Sequence, residues 1–119
     1  MAAPDIVNVS SIFGKTQGQA ITTSLADVIT CATDKVLKVN AMYVANVDGT
    51  DNVEVDVGFY DASETTTFYI IKTLIVPADA TIDVLSKSIY LEEGDKIQVV
   101  ASEALDAQIV VSYEELDDA

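Results

Sequence analysis

Between Asn52 and Phe59 apolar and polar residues alternate without a break: Val53, Val55, Val57 and Phe59 against Asn52, Glu54, Asp56 and Gly58. A period of two belongs to a strand with one face in a core and the other in water. The segment lies between two turns. Asp48-Gly49-Thr50-Asp51 precedes it, with glycine available for positive φ, and Asp61-Ala62-Ser63-Glu64 follows. A strand with one apolar face needs a second layer to cover it, and the rest of the chain offers only more strands.

Lys35 to Asn46 is the longest strand-like run. Leu37, Val39, Ala41, Tyr43 and Ala45 share one face, and Val36, Met42 and Val44 sit among polar residues on the other, so burial on both sides is expected. Thr66 to Val76 is apolar on both faces, Phe68, Ile70 and Leu74 against Tyr69, Ile71 and Ile75. It is expected at a sheet centre or beneath a contact surface. Pro77 ends it, because proline cannot donate to a ladder. Further strands are expected at Gln19 to Leu25, Asp27 to Cys31, Thr81 to Leu85, Ser88 to Leu91, Lys96 to Ser102 and Ala107 to Glu114. No segment sustains a 3.6-residue apolar stripe, and Ala101 to Asp106 allows one helical turn at most.

Short strands with turns at this spacing predict an all-β fold: a single antiparallel β-sandwich, jelly-roll-like, of about eight strands. At 119 residues there is one domain's worth of core. The expected boundaries are an extended N-terminal arm at 1–17, the sandwich at 18–115 and an acidic, frayed tail at 116–119. Pro4, Gly14 and Lys15 interrupt any pattern in the arm, apart from a short strand at Ile6 to Val9. Such an arm folds back on its own domain or reaches a neighbour.

Twenty acidic residues face six basic ones, all lysine, for a formal charge of −14. The field repels nucleic acid and anionic membrane surfaces, and there is no arginine to grip phosphate bidentately. Neither nucleic acid nor a membrane is therefore expected as a partner. Met1 to Val9 has no basic or sustained apolar region of a targeting signal. Without histidine the usual general base is missing, and neither a Ser-His-Asp nor a Cys-His arrangement can be built. One cysteine, Cys31, excludes an internal disulfide and a cysteine-based zinc site; its apolar neighbours suggest a buried thiol. Gly14-Lys15-Thr16 lacks the upstream glycine of a phosphate loop. These absences point away from an enzyme and from any cofactor.

Two weaker features remain. Asp48, Asp51 and Asn52 place hard oxygens in one loop, as calcium prefers, although a simple Asp-Gly turn explains them and the full calcium-loop pattern is absent. Among the aromatics, Tyr60 and Tyr69 beside Ile71 are candidates for a subunit contact, as are Ile12 and Phe13 of the arm, because exposed apolar stripes mark interfaces.

Leu91-Glu92-Glu93-Gly94-Asp95-Lys96-Ile97-Gln98-Val99 is similar to a turn common in jelly-roll sandwiches, in which glycine makes the turn and the next strand returns to the core. A wider set resembles small virion proteins of tailed phages, especially marine phages and cyanophages. It comprises Val9 to Thr16, Lys35 to Asn40, Val44 to Thr50, Val76 to Thr81, Ile89 to Asp95 and Val111 to Glu115. The resemblance implies a repeated β-sandwich subunit on the particle, made in the host cytoplasm and carried on the virion surface. Its expected partners are the major capsid protein or other virion proteins and copies of itself, a trimer among the candidate states. The expected role is head decoration or cement. A neck, tail or fibre-associated protein is the alternative, and a carbohydrate-binding sandwich the alternative of another class, against which the absence of tryptophan counts.

Overall fold

The computed structural model describes residues 9–118. Nine strands form two antiparallel sheets: β1 (Val9–Ala20), β2 (Ala26–Thr30), β3 (Lys35–Asn46), β4 (Val53–Asp61), β5 (Thr66–Val76), β6 (Thr81–Asp83), β7 (Ile89–Leu91), β8 (Lys96–Ala101) and β9 (Ala107–Asp118). The first sheet runs β1-β9-β3, and β6 and β7 both pair with the free side of β3 at successive heights. The second runs β2-β8-β4-β5. With β6 and β7 counted as one interrupted strand, eight positions divide between two four-stranded sheets in jelly-roll order. The expected all-β jelly-roll sandwich is therefore the fold, with nine strands.

The alternation in β4 holds: Val53, Val55 and Val57 are buried and meet Ile97 and Val99 of β8. The first sheet supplies Val39, Met42, Val44, Ile109 and Val111 to the same core. In β3 the expected faces do not hold, because the register with β9 slips between Val39 and Ala41. The extra residue, Asn40, is a bulge that moves later side chains to the opposite face. Leu37 and Val39 point inward before it, Met42 and Val44 after it, and Tyr43 faces solvent.

β5 is an edge strand, neither central nor buried on both faces. Two slips against β4, around Ile70 and at Lys72-Thr73, turn Ile71 toward the core along with Leu74. The second bulge places Thr73 at φ 53°, a strained value for a β-branched residue. Its N–H donates to Asp56 Oδ1 at 2.6 Å and Lys72 Nζ to Asp56 Oδ2 at 2.9 Å, which holds the bulge closed.

The described part of the expected arm is β1, paired with β9 from Val9↔Asp118 to Ala20↔Gln108. The expected strand at Ile6 to Val9 lies, except for Val9, outside the described residues. Residues 21–25, read as strand from their threonines, form the connection to β2. The sandwich also runs past residue 115, since Leu116 is buried and pairs with Val36 and Ile12.

Two buried polar side chains pin the loops at opposite ends. Asn46, 2% exposed, donates through Nδ2 to the carbonyls of Asp51 and Val76 and accepts from the Asp48 N–H. Asp95, also 2% exposed, accepts from the N–H of Ala62 at 2.9 Å and of Glu92 at 3.0 Å. The Asp95 carbonyl accepts from the Cys31 N–H, so one residue joins three connections. Gly94 before it has φ +84°, and a Cβ there would sit 2.9 Å from that of Ala62. Here the Gly-Asp turn has its physical reason.

Candidate interaction surfaces

Three surfaces gather the exposed apolar and aromatic residues. The first is the N-terminal half of β1. Ile12 and Phe13 are 57% and 50% exposed. Register rows place the two on opposite faces of β1. Lys15, Tyr113 and Val39 share a row whose Val39 is fully buried, so odd-numbered β1 residues face the inside. Phe13 is one of them, yet the neighbouring edge of the second sheet is the five-residue β2, which pairs with β8 only over Lys96 to Val99 and leaves Phe13 half exposed. Polar ties hold this end of β1 on the domain: Lys15 pairs with Glu115 at 2.7 Å, Ser11 donates to Asp117 Oδ2 at 2.7 Å, and Lys35 also pairs with Asp117. The Lys35 and Ser11 hydrogen bonds lower the Asp117 carboxyl below its ordinary range.

The second surface is the outer face of the second sheet. Tyr60 and Tyr69 lie on it, as expected of an outward pair, whereas Ile71 packs against the core and does not join them. Each tyrosine ring carries a lysine: Lys96 Nζ lies 5.3 Å from the Tyr60 centroid and Lys72 Nζ 4.5 Å from that of Tyr69. Both lysines also hold carboxylates, Asp27 at 3.1 Å and Asp56 at 2.9 Å. Gln98 Nε2 donates to Asp27 at 3.0 Å, and that bond, with the lysine, lowers the Asp27 carboxyl. Burial works to raise Asp56, but its bonds from Lys72 and Thr73 outweigh it and hold the group low. Thr67 Oγ1 donates to Gln98 Oε1 at 2.8 Å across Gly58, whose missing side chain makes room; a Cβ there would lie 2.6 Å from Thr67 Cγ2. Beside this network Glu54, Asp56, Thr73, Val100, Ala101 and Ser102 line a shallow hollow of about 220 Å³.

The third surface includes Phe59, Phe68 and Tyr90, aromatics of the middle strands whose inward members the sequence assigns to the core. Phe59, Phe68, Ile70, Ile89 and Tyr90 line an apolar cleft of about 250 Å³ where edge strand β5 of one sheet faces edge strand β7 of the other. Phe68 and Tyr90 are 51% and 48% exposed at its rim. Its residues come from three separated segments, so no local pattern announces it.

The calcium candidates Asp48, Asp51 and Asn52 lie in the connection between β3 and β4. Asp48 Oδ1 accepts from the backbone N–H and the hydroxyl of Thr50, both at 3.0 Å, which lowers its carboxyl. Asp51 and Asn52 are exposed. Among the described residues no group of three or more metal-binding side chains converges. Burial, then the charges of Asp48 and Asp51, raise the nearby Asp106 carboxyl. Cys31 is buried, donates to the Lys35 carbonyl at 3.2 Å, and burial pushes its thiol up to about 11. No helix among the described residues is long and apolar enough to cross a membrane.

No family model matches the sequence, and no curated protein is significantly similar to it. Solved structures do match its fold. One is a chain of Bacillus endospore appendages, a family of disulfide-linked pili: 13% identity, TM-score 0.55, covering 92% of this chain and 88% of that one. Another belongs to the capsid of Helicobacter pylori bacteriophage KHP30: 11% identity, TM-score 0.56, covering 93% and 91%. A xylan-binding domain from Paenibacillus barcinonensis matches with a TM-score of 0.24, too weak to carry an argument.

Proposed function

We propose that this chain is a structural protein of a phage virion, and specifically a head decoration protein that binds assembled capsid and stabilises it. The supporting observation is that its jelly roll matches a phage-capsid chain over nearly the full length of both, so each is about one such domain. The virion reading is further supported by the resemblance of Val9 to Thr16 and the other segments to tailed-phage virion proteins. A decoration protein needs no reaction chemistry. It needs only tighter binding to assembled lattice than to free subunit, which shifts the assembly equilibrium by mass action. The bare apolar side chains of β1, β5 and β7 are the contacts this reading assigns to neighbours. The −14 charge keeps free copies dispersed until they are captured.

A disulfide-linked polymer is the less favoured reading. The single thiol is buried, bonded to a carbonyl and held protonated at neutral pH, and the thiolate is the form that exchanges disulfides. The test compares particles with and without this protein under heat and osmotic shock. The reading expects heads lacking it to burst at lower temperature and regain resistance when purified protein is added back. Equal resistance of the two particles overturns the cementing role.

A further inference from the structure

Each sheet ends in free edges whose backbone N–H and C=O groups pair with another chain unless something prevents it. Short length, bulges and proline are the usual safeguards. β2 is five residues long and slips against β8 between Asp27 and Ile29. β5 slips twice against β4 and carries Thr73 at φ 53°. β6 and β7 have three residues each. β1 has none of these safeguards over most of its length. It spans 12 residues, contains no proline, and keeps one register with β9 from Ser11 to Ala20.

The Ile21 N–H donates to the Ala107 carbonyl at 2.9 Å. Facing pairs of an antiparallel ladder alternate between hydrogen-bonded and not, so the odd-numbered residues of β1 bond to β9. Ile12, Gly14, Thr16, Gly18 and Ala20 therefore aim their N–H and C=O groups at the free edge. Their side chains lie on the outer face, because Gly18 shares a row with Val110 and Tyr43, both exposed. Nothing among the described residues requires glycine at 14 or 18: neither has a positive φ, and a Cβ on either would meet nothing within 4 Å. Glycine weakens a strand interior and marks places where another backbone comes close.

Charge decides which way a second copy fits. β1 carries no carboxylate, and its one lysine is already paired with Glu115 at 2.7 Å. On β9 the carboxylates gather at one end: Glu114, Glu115, Asp117 and Asp118 stand beside Gly14, Phe13, Ser11 and Val9, whereas Gln108 to Tyr113, beside Ala20 to Lys15, include none. An antiparallel copy sets the acidic end of each β9 level with the neutral end of the other. We propose that the free edge of β1 is occupied by β1 of a second copy of this chain, antiparallel about a two-fold axis at Thr16, so that the two first sheets become one. Ile12 then opposes Ala20 of the second copy, Gly14 opposes Gly18, and Thr16 opposes Thr16. Each of these pairs exchanges two backbone hydrogen bonds, which uses every free group from Ile12 to Ala20. Half-exposed Phe13 faces Gln19 of the second copy on the inner side. Centring the axis on Lys15 would instead set like charges directly opposite, which destabilises a sheet. The contact is isologous and closed, so association stops at the dimer. It goes beyond the head-decoration reading and does not depend on where the subunit sits.

Sedimentation of the purified chain from micromolar to millimolar concentration tests it, in about 0.15 M salt, where charge repulsion is screened beyond roughly 8 Å. The wild type is expected to pass from monomer to dimer with rising concentration, and no further. Thr16→Lys and Thr16→Glu each set like charges opposite one another at the axis. Each should stay monomeric over the same range, and their equimolar mixture should dimerise again. Thr16→Pro removes an N–H that points away from β9, where an edge strand tolerates proline, and should also be monomeric. Circular dichroism confirms that each variant is folded, and the charge pair decides alone if the proline variant is not. A wild type monomeric at millimolar concentration, or one that grows beyond a dimer, overturns the proposal. So do charge variants that dimerise as the wild type does, or a mixture that fails to restore the dimer. The heat test on particles is independent: cementing can fail while this dimer stands, and the reverse.

Discussion

Replacing Asp95 by alanine removes the acceptor of two hydrogen bonds at once. The Ala62 and Glu92 N–H groups that point at it, at 2.9 and 3.0 Å, lie around a side chain only 2% exposed, so water does not readily take its place. An unsatisfied buried donor costs about 1–3 kcal/mol, and two of them about 4 kcal/mol. A domain of this size has about 5–15 kcal/mol in total. At about 4 °C per kcal/mol for a chain of this length, Tm should fall by roughly 15 °C. Asp95→Asn keeps one acceptor oxygen but sets an NH2 against the other donor, so a loss of about 2–3 kcal/mol is expected. Urea denaturation followed by circular dichroism measures both. If Asp95→Ala lies within about 0.5 kcal/mol of wild type, the residue does not hold the three connections together and the reasoning about the Gly-Asp turn is wrong.

Gly58→Ala should cost about 1–3 kcal/mol, the usual penalty for overpacking, because its Cβ displaces Thr67 from Gln98; a melting temperature equal to wild type would contradict this. Cys31 should react with a thiol reagent near neutral pH only at the rate of unfolding, since burial raises its pKa to about 11; rapid stoichiometric labelling of the native protein would show an accessible thiol. The Asp27 and Asp56 carboxyls titrate below their ordinary value in the fold. Their stabilisation is complete above an unfolded pKa of about 3.9 and is lost as pH falls through the lower folded values. Asp106, raised in the fold, has the opposite sign and gains on protonation. Unfolding free energy followed from pH 6 to pH 2 should therefore fall most steeply below about pH 4, and less so in Asp56→Asn; a flat profile would remove these pairs from the account.

The class of fold was legible because β4 carries no bulge: its alternation maps directly onto inside and outside. Where bulges intervene, the same method misassigns faces. Asn40 turned Tyr43 outward, and the slips at Ile70 and Lys72-Thr73 turned Ile71 inward. A bulge adds one residue to one strand only, and its partner is not visible in a linear pattern. β1 looks like an arm in the sequence because an edge strand with most side chains exposed has no apolar face to betray it. Ile12 and Phe13 stood out as two large apolar residues in a polar stretch. The cleft did not, because Phe59, Phe68 and Tyr90 meet only when the two sheets close.

Cryo-electron microscopy of the intact particle tests the central claim most directly. The account predicts this jelly roll in many symmetric copies on the outside of the head, touching capsid subunits through its exposed apolar edges. Density for it only at the neck or tail, or none on the particle, would contradict the claim.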